Sequence, residues 1–196
     1  MPELILIILA AYLVGALPCG VILTRLSGAG DIRSSGSGNI GATNVYRVAG
    51  RKLGVLTLVC DALKGVLPVL LAAQWGHLPE PQVALVALAV FLGHCYPIYL
   101  GFKGGKGVAT ALGIFIVLSP LTVACLVAIF IALVAIWRYI SLGSICAAAA
   151  APLLIFWFER STALVGATFF IAAIVIWRHR ENISRLIGGT ENRFRV

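Results

Sequence analysis

Seven apolar runs, at roughly 3–24, 53–75, 82–101, 107–119, 120–137, 141–158 and 162–177, leave this chain few ways to fold. A helix that crosses a bilayer needs about 20 apolar residues, and in hydrocarbon its backbone groups must be satisfied within the segment. The runs meet that requirement, apart from the short fourth, whose turn into the fifth at Ser119-Pro120 is tight. Were that pair one re-entrant hairpin, the number of crossings would fall. The expected fold class is all-α: an integral membrane bundle of seven transmembrane helices, with residues 1–196 forming a single transmembrane domain. Composition agrees: 61% of residues are hydrophobic and 11% charged, against roughly 45–50% and about 25% in soluble domains. The first run has Glu3 where a signal peptide has basic residues, and it exceeds a signal-peptide core. It therefore reads as a retained helix.

Charge sets the orientation. With the N-terminus outside, Arg25, Arg33, Arg47, Arg51, Lys52, Lys103, Lys106, Arg138, Arg178, Arg180, Arg185, Arg193 and Arg195 all fall on the cytoplasmic side. Only Arg160 falls outside, and Lys64 lies within a span. That asymmetry is the positive-inside pattern and places the C-terminus in the cytoplasm. The formal charge of +8 is thus a matter of topology, and no nucleic-acid partner is expected. Cys19, Cys60, Cys95, Cys125 and Cys146 all fall in spans without C-x-x-C spacing and read as reduced thiols. Two nine-residue stretches, 130–138 and 170–178, resemble each other, and both end at the cytoplasmic interface in Trp-Arg, where those residues are favoured in any membrane helix.

The polar segments gather on the same side. The longest, Gly36-Ser37-Gly38-Asn39-Ile40-Gly41-Ala42-Thr43-Asn44-Val45-Tyr46-Arg47, combines three glycines with hydroxyls, amides and a guanidinium. Such a set suits an anion: glycine lets backbone N–H groups approach closely, and arginine supplies a planar fork. Its G-x-G-x-x-G is not a dinucleotide fingerprint, because no strand precedes Gly36 and Asp61, at the right offset, lies inside an apolar span. Lys103-Gly104-Gly105-Lys106-Gly107 opens the fourth span and Ser141-Leu142-Gly143-Ser144 the sixth, so helix N-termini point at the same compartment. The lysine loop is not a Walker A sequence, since Leu100 and Gly107 stand where Gly and Ser or Thr are required. Each residue also has a plainer role open to it. Lys103, Lys106 and Arg47 could be topology anchors, and Ser37, Asn39, Thr43 and Asn44 could cap helices and build turns. Asp61 and Lys64, three apart within the second span, could pair with each other, and His94 could be a packing residue. His179 stands at the cytoplasmic boundary with Asn182 one turn on, and is the histidine placed at the site. Asp31, Glu181 and Glu191 are scattered, so no metal site and no metal or other cofactor is expected.

In order along the chain, G-S-G-N-I-G-A-T-N-V-Y-R, G-H-C-Y-P-I-Y-L-G-F-K-G-G-K-G-V-A-T, S-L-G-S-I and W-R-H-R-E-N-I-S-R resemble the bacterial acyl-phosphate-dependent glycerol-3-phosphate acyltransferases. The resemblance implies a membrane enzyme that moves a fatty acyl group from acyl phosphate to the 1-hydroxyl of sn-glycerol 3-phosphate, giving lysophosphatidic acid and phosphate. It implies a substrate site made of Ser37, Asn39, Thr43, Arg47, Gly104, Gly105, Lys106, Ser144, His179 and Asn182, with Lys106, His179 and Ser37 at the reacting groups. Thr43, Ser144 and the Gly104-Gly105 backbone are assigned to acyl phosphate. Ser37, Arg47, His179 and Asn182 go to glycerol phosphate, and Lys106 bridges. Partners expected on this basis are the two substrates, membrane lipid and the soluble enzyme that forms acyl phosphate; the chain is expected to be a monomer in a bacterial plasma membrane. The competing class is a transporter or exchanger of phosphorylated metabolites with Asp61 and Lys64 in its pathway, although the short outer loops carry no matching anion motif.

The orientation is open to direct test. In a background without native cysteines, reporters at Ser35 and Gly189 should label only from the cytoplasmic side, and one at Glu80 only from outside. External labelling of position 35 would overturn both the orientation and the proposed site.

Overall fold

A computed structural model describes residues 2–194, and among these there is no strand. Arg195, one of the basic residues used for orientation, lies outside the described residues. Ten α-helices follow one another: α1 (Pro2–Gly15), α2 (Cys19–Leu26), α3 (Ala42–Ala49), α4 (Arg51–Leu70), α5 (Glu80–Cys95), α6 (Val108–Leu118), α7 (Pro120–Trp137), α8 (Ile140–Glu159), α9 (Thr162–Arg178) and α10 (Arg180–Ile187). All seven apolar runs are helical, with two departures.

The first run, expected as one helix, is two helices that bend by 42°. Pro18 is the cause: it has no N–H for the helical ladder and drives the residue before it out of the α region. The third run ends earlier than expected for the same reason. Tyr96, which precedes Pro97, leaves the helix at φ −134°, and the chain re-forms only a 3-10 turn at Ile98–Leu100. Four segments are long and apolar enough to cross a membrane alone: Arg51–Gln74, Glu80–Leu100, Pro120–Trp137 and Ile140–Glu159. Two bent pairs, α1 with α2 and α9 with α10, raise the number to six if each is one span. Helix α6 has 11 residues, about 16 Å at 1.5 Å per residue, and is too short to span about 30 Å alone.

The chain divides into two compact units, one ending at Val117 and one beginning at Leu118. In the first unit α5 is the central helix, with Val86, Ala87, Val90 and Phe91 fully enclosed. Helix α1 crosses it where Gly15 faces Gly93: a Cβ on Gly15 would strike the Val90 carbonyl, and one on Gly93 the Tyr12 carbonyl. The Tyr12 hydroxyl closes the crossing by donating to the Tyr96 carbonyl at 2.8 Å. Helix α6 approaches α4 in the same manner, through Gly113 over the Ala62 carbonyl and Gly65 over the Thr110 carbonyl. Lipid is as apolar as leucine, so small residues that let backbones approach are what holds such helices together.

In the second unit α8 lies between α7 and α9 and contacts both. Only Thr122 of α7 is buried, and it accepts a hydrogen bond from the Ser119 hydroxyl at 2.8 Å. Beyond α9 the chain bends by 56° into the polar helix α10. All five cysteines are free thiols.

The glycine crossing yields opposite expectations for two substitutions. Gly93→Ala must push α1 away from α5 and should cost about 1–3 kcal/mol through overpacking. Gly166→Ala, on α9 with nothing within 4 Å of the added carbon, should stabilise by up to about 1 kcal/mol through helix propensity. Melting of the two purified variants in detergent, measured beside the parent, checks both signs.

Candidate active site

In the first unit, the chain between α2 and α3 is an irregular loop with a 3-10 turn at Ile32–Ser34. Asp31 opens that turn. It accepts from the Arg33 backbone at 3.0 Å and pairs with the guanidinium groups of Arg33 at 2.6 Å and Arg25 at 2.7 Å. The hydrogen bonds from Arg33, then that from Arg25, hold its carboxyl well below the usual range. Asp31 thus fastens the loop rather than standing alone. Gly36 and Gly38 then take positive φ, 61° and 69°. A side chain on Gly36 would also collide with the Asn44 amide.

Asn44 is the organiser of this loop and was not among the expected substrate ligands. Only 3% exposed, it accepts from the Ser37 N–H at 2.9 Å and shares its NH2 among the carbonyls of Asn39 at 2.9 Å, Ser35 at 3.0 Å and Ile32 at 3.3 Å. One amide therefore gathers four backbone positions of the polar segment. The Asn39 side-chain oxygen accepts from the Gly41 N–H at 2.8 Å, which leaves the NH2 end of that amide as the donor it can offer elsewhere. Beneath lie Val21, Ile32, Ile40 and Val45, an enclosed apolar cluster. With the loop held down, exposed Ser37, half-buried Thr43 and exposed Arg47 occupy its outer side. Thr43 and Arg47, four apart on α3, share a face.

The lysine loop belongs to the same end of the unit. Leu100, three residues before Lys103, packs on the apolar cluster under α3. Residues 103–107 form no regular structure and press against the C-terminal end of α5. The Gly105 N–H donates to the His94 carbonyl at 3.1 Å. Any Cβ on Gly104 would strike that carbonyl, any Cβ on Gly105 the His94 imidazole, and any Cβ on Gly107 the Phe91 ring. The glycines are required by close approach here, and at Gly107 by a φ of 82° as well. Lys106 emerges half-buried from this loop, while Lys103 is exposed.

In the second unit, His179 terminates α9 and is 3% exposed. Its Nδ1 is 2.7 Å from the Val175 carbonyl. A carbonyl can only accept, so Nδ1 carries the proton and Nε2 is the basic nitrogen of the neutral ring. The backbone therefore orients His179, and Glu181 lies exposed on α10. Ser144 donates its hydroxyl to the Ile140 carbonyl at 2.9 Å, so it offers a phosphate nothing until that intrahelical bond is exchanged. Asn182 is 7% exposed and donates to Glu191 Oε1 at 2.7 Å. Glu191, expected to be scattered, is the hub of this unit. It also accepts from the Ser141 hydroxyl at 2.8 Å and the Arg185 guanidinium at 2.7 Å. No spacing in the sequence marks Glu191, because its partners lie on α8 and α10 and meet it only after the tail folds back. The tail is held further by Arg138, whose Nε donates to the Phe194 carbonyl at 3.1 Å.

Asp61 and Lys64, the charged pair of α4, are bound to each other at 2.8 Å, and Lys64 also donates to the Leu17 carbonyl at 2.8 Å. They are 2% and 5% exposed. His94 approaches the same carboxylate oxygen to 3.7 Å.

Residues 5–189 match the family described as glycerol-3-phosphate acyltransferase. Among similar proteins, the glycerol-3-phosphate acyltransferase of Syntrophotalea carbinolica is 65% identical over the full length of both chains. That of Geobacter sulfurreducens is 61% identical over 95% of each. Two crystal structures of PlsY (YgiH), an integral membrane glycerol 3-phosphate acyltransferase, superpose on this chain. The glycerol 3-phosphate form has a TM-score of 0.94 at 40% identity, covering 98% of this chain and 96% of that one. The lysophosphatidic acid form has a TM-score of 0.91 at 39% identity with the same coverage.

The Glu191 hub should make stability depend on acid. Burial raises its carboxyl pKa, but the hydrogen bonds from Asn182, Arg185 and Ser141 outweigh burial and hold it below the ordinary 4.5. A carboxyl depressed in the folded state stabilises fully above its unfolded value and loses that contribution as pH falls below it. Glu191→Gln should therefore melt below the parent at pH 7, with the gap closing as the pH drops past about 4.5. A gap independent of pH would assign Glu191 no ionic role.

Proposed function

The chain belongs to the glycerol-3-phosphate acyltransferase family, and on that premise we propose that it transfers a fatty acyl group from acyl phosphate to the 1-hydroxyl of sn-glycerol 3-phosphate. The observation that carries the reading is the pair of glycine-built loops in the first unit, from one of which Lys106 emerges half-buried, and after the other of which Arg47 stands exposed on α3. Two phosphorylated substrates bring several negative charges together. Guanidinium, ammonium and backbone N–H groups fixed in advance offset that repulsion without reorganising during the reaction.

Ser37, Asn39, Thr43, Arg47, Gly104, Gly105 and Lys106 of the first unit, and Ser144, His179 and Asn182 of the second, are proposed to bind substrate. The acceptor hydroxyl oxygen attacks the acyl carbonyl carbon, the bond from that carbon to the phosphate oxygen breaks, and phosphate leaves. The hydroxyl proton passes to an oxygen of the departing phosphate. Phosphate monoesters lose their second proton near pH ~6, so that oxygen is basic enough at neutral pH. His179, held by the Val175 carbonyl, presents Nε2 to the acceptor substrate and positions it. Asp61 and Lys64, which an exchanger would need free in its pathway, are committed to each other and to the Leu17 carbonyl. We place the enzyme as a monomer in the bacterial plasma membrane, with seven spans counting α6, the N-terminus outside, and the substrate residues cytoplasmic.

Purified protein given acyl phosphate and glycerol 3-phosphate should release phosphate and lysophosphatidic acid in equal amounts, and neither without the donor. Lys106→Ala and Arg47→Ala should each lose about 1.5–3 kcal/mol of transition-state binding, roughly ten- to a hundredfold in kcat/KM. His179→Asn should raise KM for glycerol 3-phosphate while turnover at saturation persists and the kcat–pH profile keeps its acidic limb. A collapse of kcat that imidazole restores would make His179 the base.

A further inference from the structure

We propose that the buried cluster Lys64–Asp61–His94 is a positioning device for the lysine loop, acting through backbone to set the reach of Lys106. It rests on the reading of Lys106 as a phosphate ligand. Its link to the site runs through steric contact and the main chain. His94 stands between two parts of it. On one side its Nδ1 is 3.7 Å from Asp61 Oδ1, which Lys64 Nζ approaches to 2.8 Å. On the other side its ring covers Gly105 so closely that an added Cβ would meet Nε2, with Cε1 at 2.9 Å and Cδ2 at 3.0 Å. The His94 carbonyl receives the Gly105 N–H at 3.1 Å.

The loop is gripped at its other end by the same residue of α4. The Thr110 hydroxyl, in the first turn of α6, donates to the Asp61 carbonyl at 3.0 Å. Asp61 therefore holds one flank of the loop through Thr110, while His94, whose Nδ1 lies 3.7 Å from its carboxylate, packs on the other, and Lys106 lies between them. Lys64 adds the third attachment: by donating to the Leu17 carbonyl at 2.8 Å it ties α4 to the break before α2. All three cluster side chains are at most 5% exposed, so a change there moves packed atoms and is not absorbed by solvent. Glycine offers the loop no side chain of its own to set its conformation, and the ring pressed on Gly105 supplies that restraint.

A double-mutant cycle on the purified full chain tests this. Asp61→Asn with Lys64→Met removes the pair together, so that no lone charge remains in the hydrocarbon; His94→Gln leaves the pair in place and removes only the ring. KM and kcat for both substrates and detergent melting are measured for each, alone and with Lys106→Ala. Each cluster variant should raise KM for the substrate affected by Lys106→Ala, by about ten- to a hundredfold, with kcat changed less. In the Lys106→Ala background it should add little further loss. Penalties that multiply while Lys106→Ala is itself impaired would overturn the inference and leave the reading of Lys106 intact. Unchanged kinetics in Lys106→Ala would overturn that reading and this inference with it. A lowered melting temperature with unchanged KM in His94→Gln would reduce the cluster to a structural role. If the paired variant does not fold, His94→Gln decides the outcome alone.

Discussion

A lone ammonium group cannot be left in hydrocarbon, and much of the first unit follows from where Lys64 finds its partners. Asp61 supplies the counter-charge from the preceding turn of α4. The Leu17 carbonyl supplies a further acceptor because Pro18 interrupts the helix there and leaves backbone groups outside the ladder. Burial of an ion pair is a poor source of net stability, since desolvation offsets most of the attraction. What the pair provides is a fixed geometry: the His94 ring stands beside the Asp61 carboxylate, and Lys64 ties α4 to the break after α1. The break in the first apolar run is thus part of the arrangement that keeps a charge inside the membrane.

Around that frame, the functional loops solve a second problem: how to hold irregular backbone still without a hydrophobic side chain to anchor each residue. The answer is a buried polar hub. In the polar loop the hub is Asn44, a neutral amide that binds four backbone positions at once. In the second unit it is Glu191, which binds Ser141, Asn182 and Arg185. The two differ in charge for a physical reason. Asn44 gathers main-chain groups, both donor and acceptor, and an amide carries one of each. Glu191 gathers only donors, one of them a guanidinium, and an ionised carboxylate is all acceptor. Glu191 thereby spends the Ser141 hydroxyl and the Arg185 guanidinium on the frame, whereas Asn44 spends only main-chain groups.

The helical architecture was legible in the chain because hydrocarbon permits so little else: an apolar run of sufficient length, bounded by polar segments, must be a helix. Runs such as 120–137 and 162–177 coincide with α7 and α9 to within a residue. The motifs were legible for a related reason, since polar, glycine-rich and basic stretches stand out between apolar spans. Less visible were residues whose role depends on a distant partner. His94 read as packing because nothing nearby in sequence is charged; its neighbours Asp61 and Gly105 arrive from α4 and from the loop beyond Pro97. Glu191 read as an isolated tail carboxylate, and Asn44 as one more turn residue.

By itself the amino-acid order determined that the chain spans a membrane and that its glycine-rich and basic segments fall between the spans; the breaks at Pro18 and Pro97 emerged only with the structure. The first two properties are local: hydropathy and the side-chain inventory of a short stretch do not need a third dimension. Only the tertiary structure decided which polar groups are spent on holding the backbone. It committed Asn44, Glu191 and the Asp61–Lys64 pair to the frame, and turned His179 onto the Val175 carbonyl. A hydrogen bond is a matter of ångströms between groups far apart in sequence, and that distance exists only once the helices have packed.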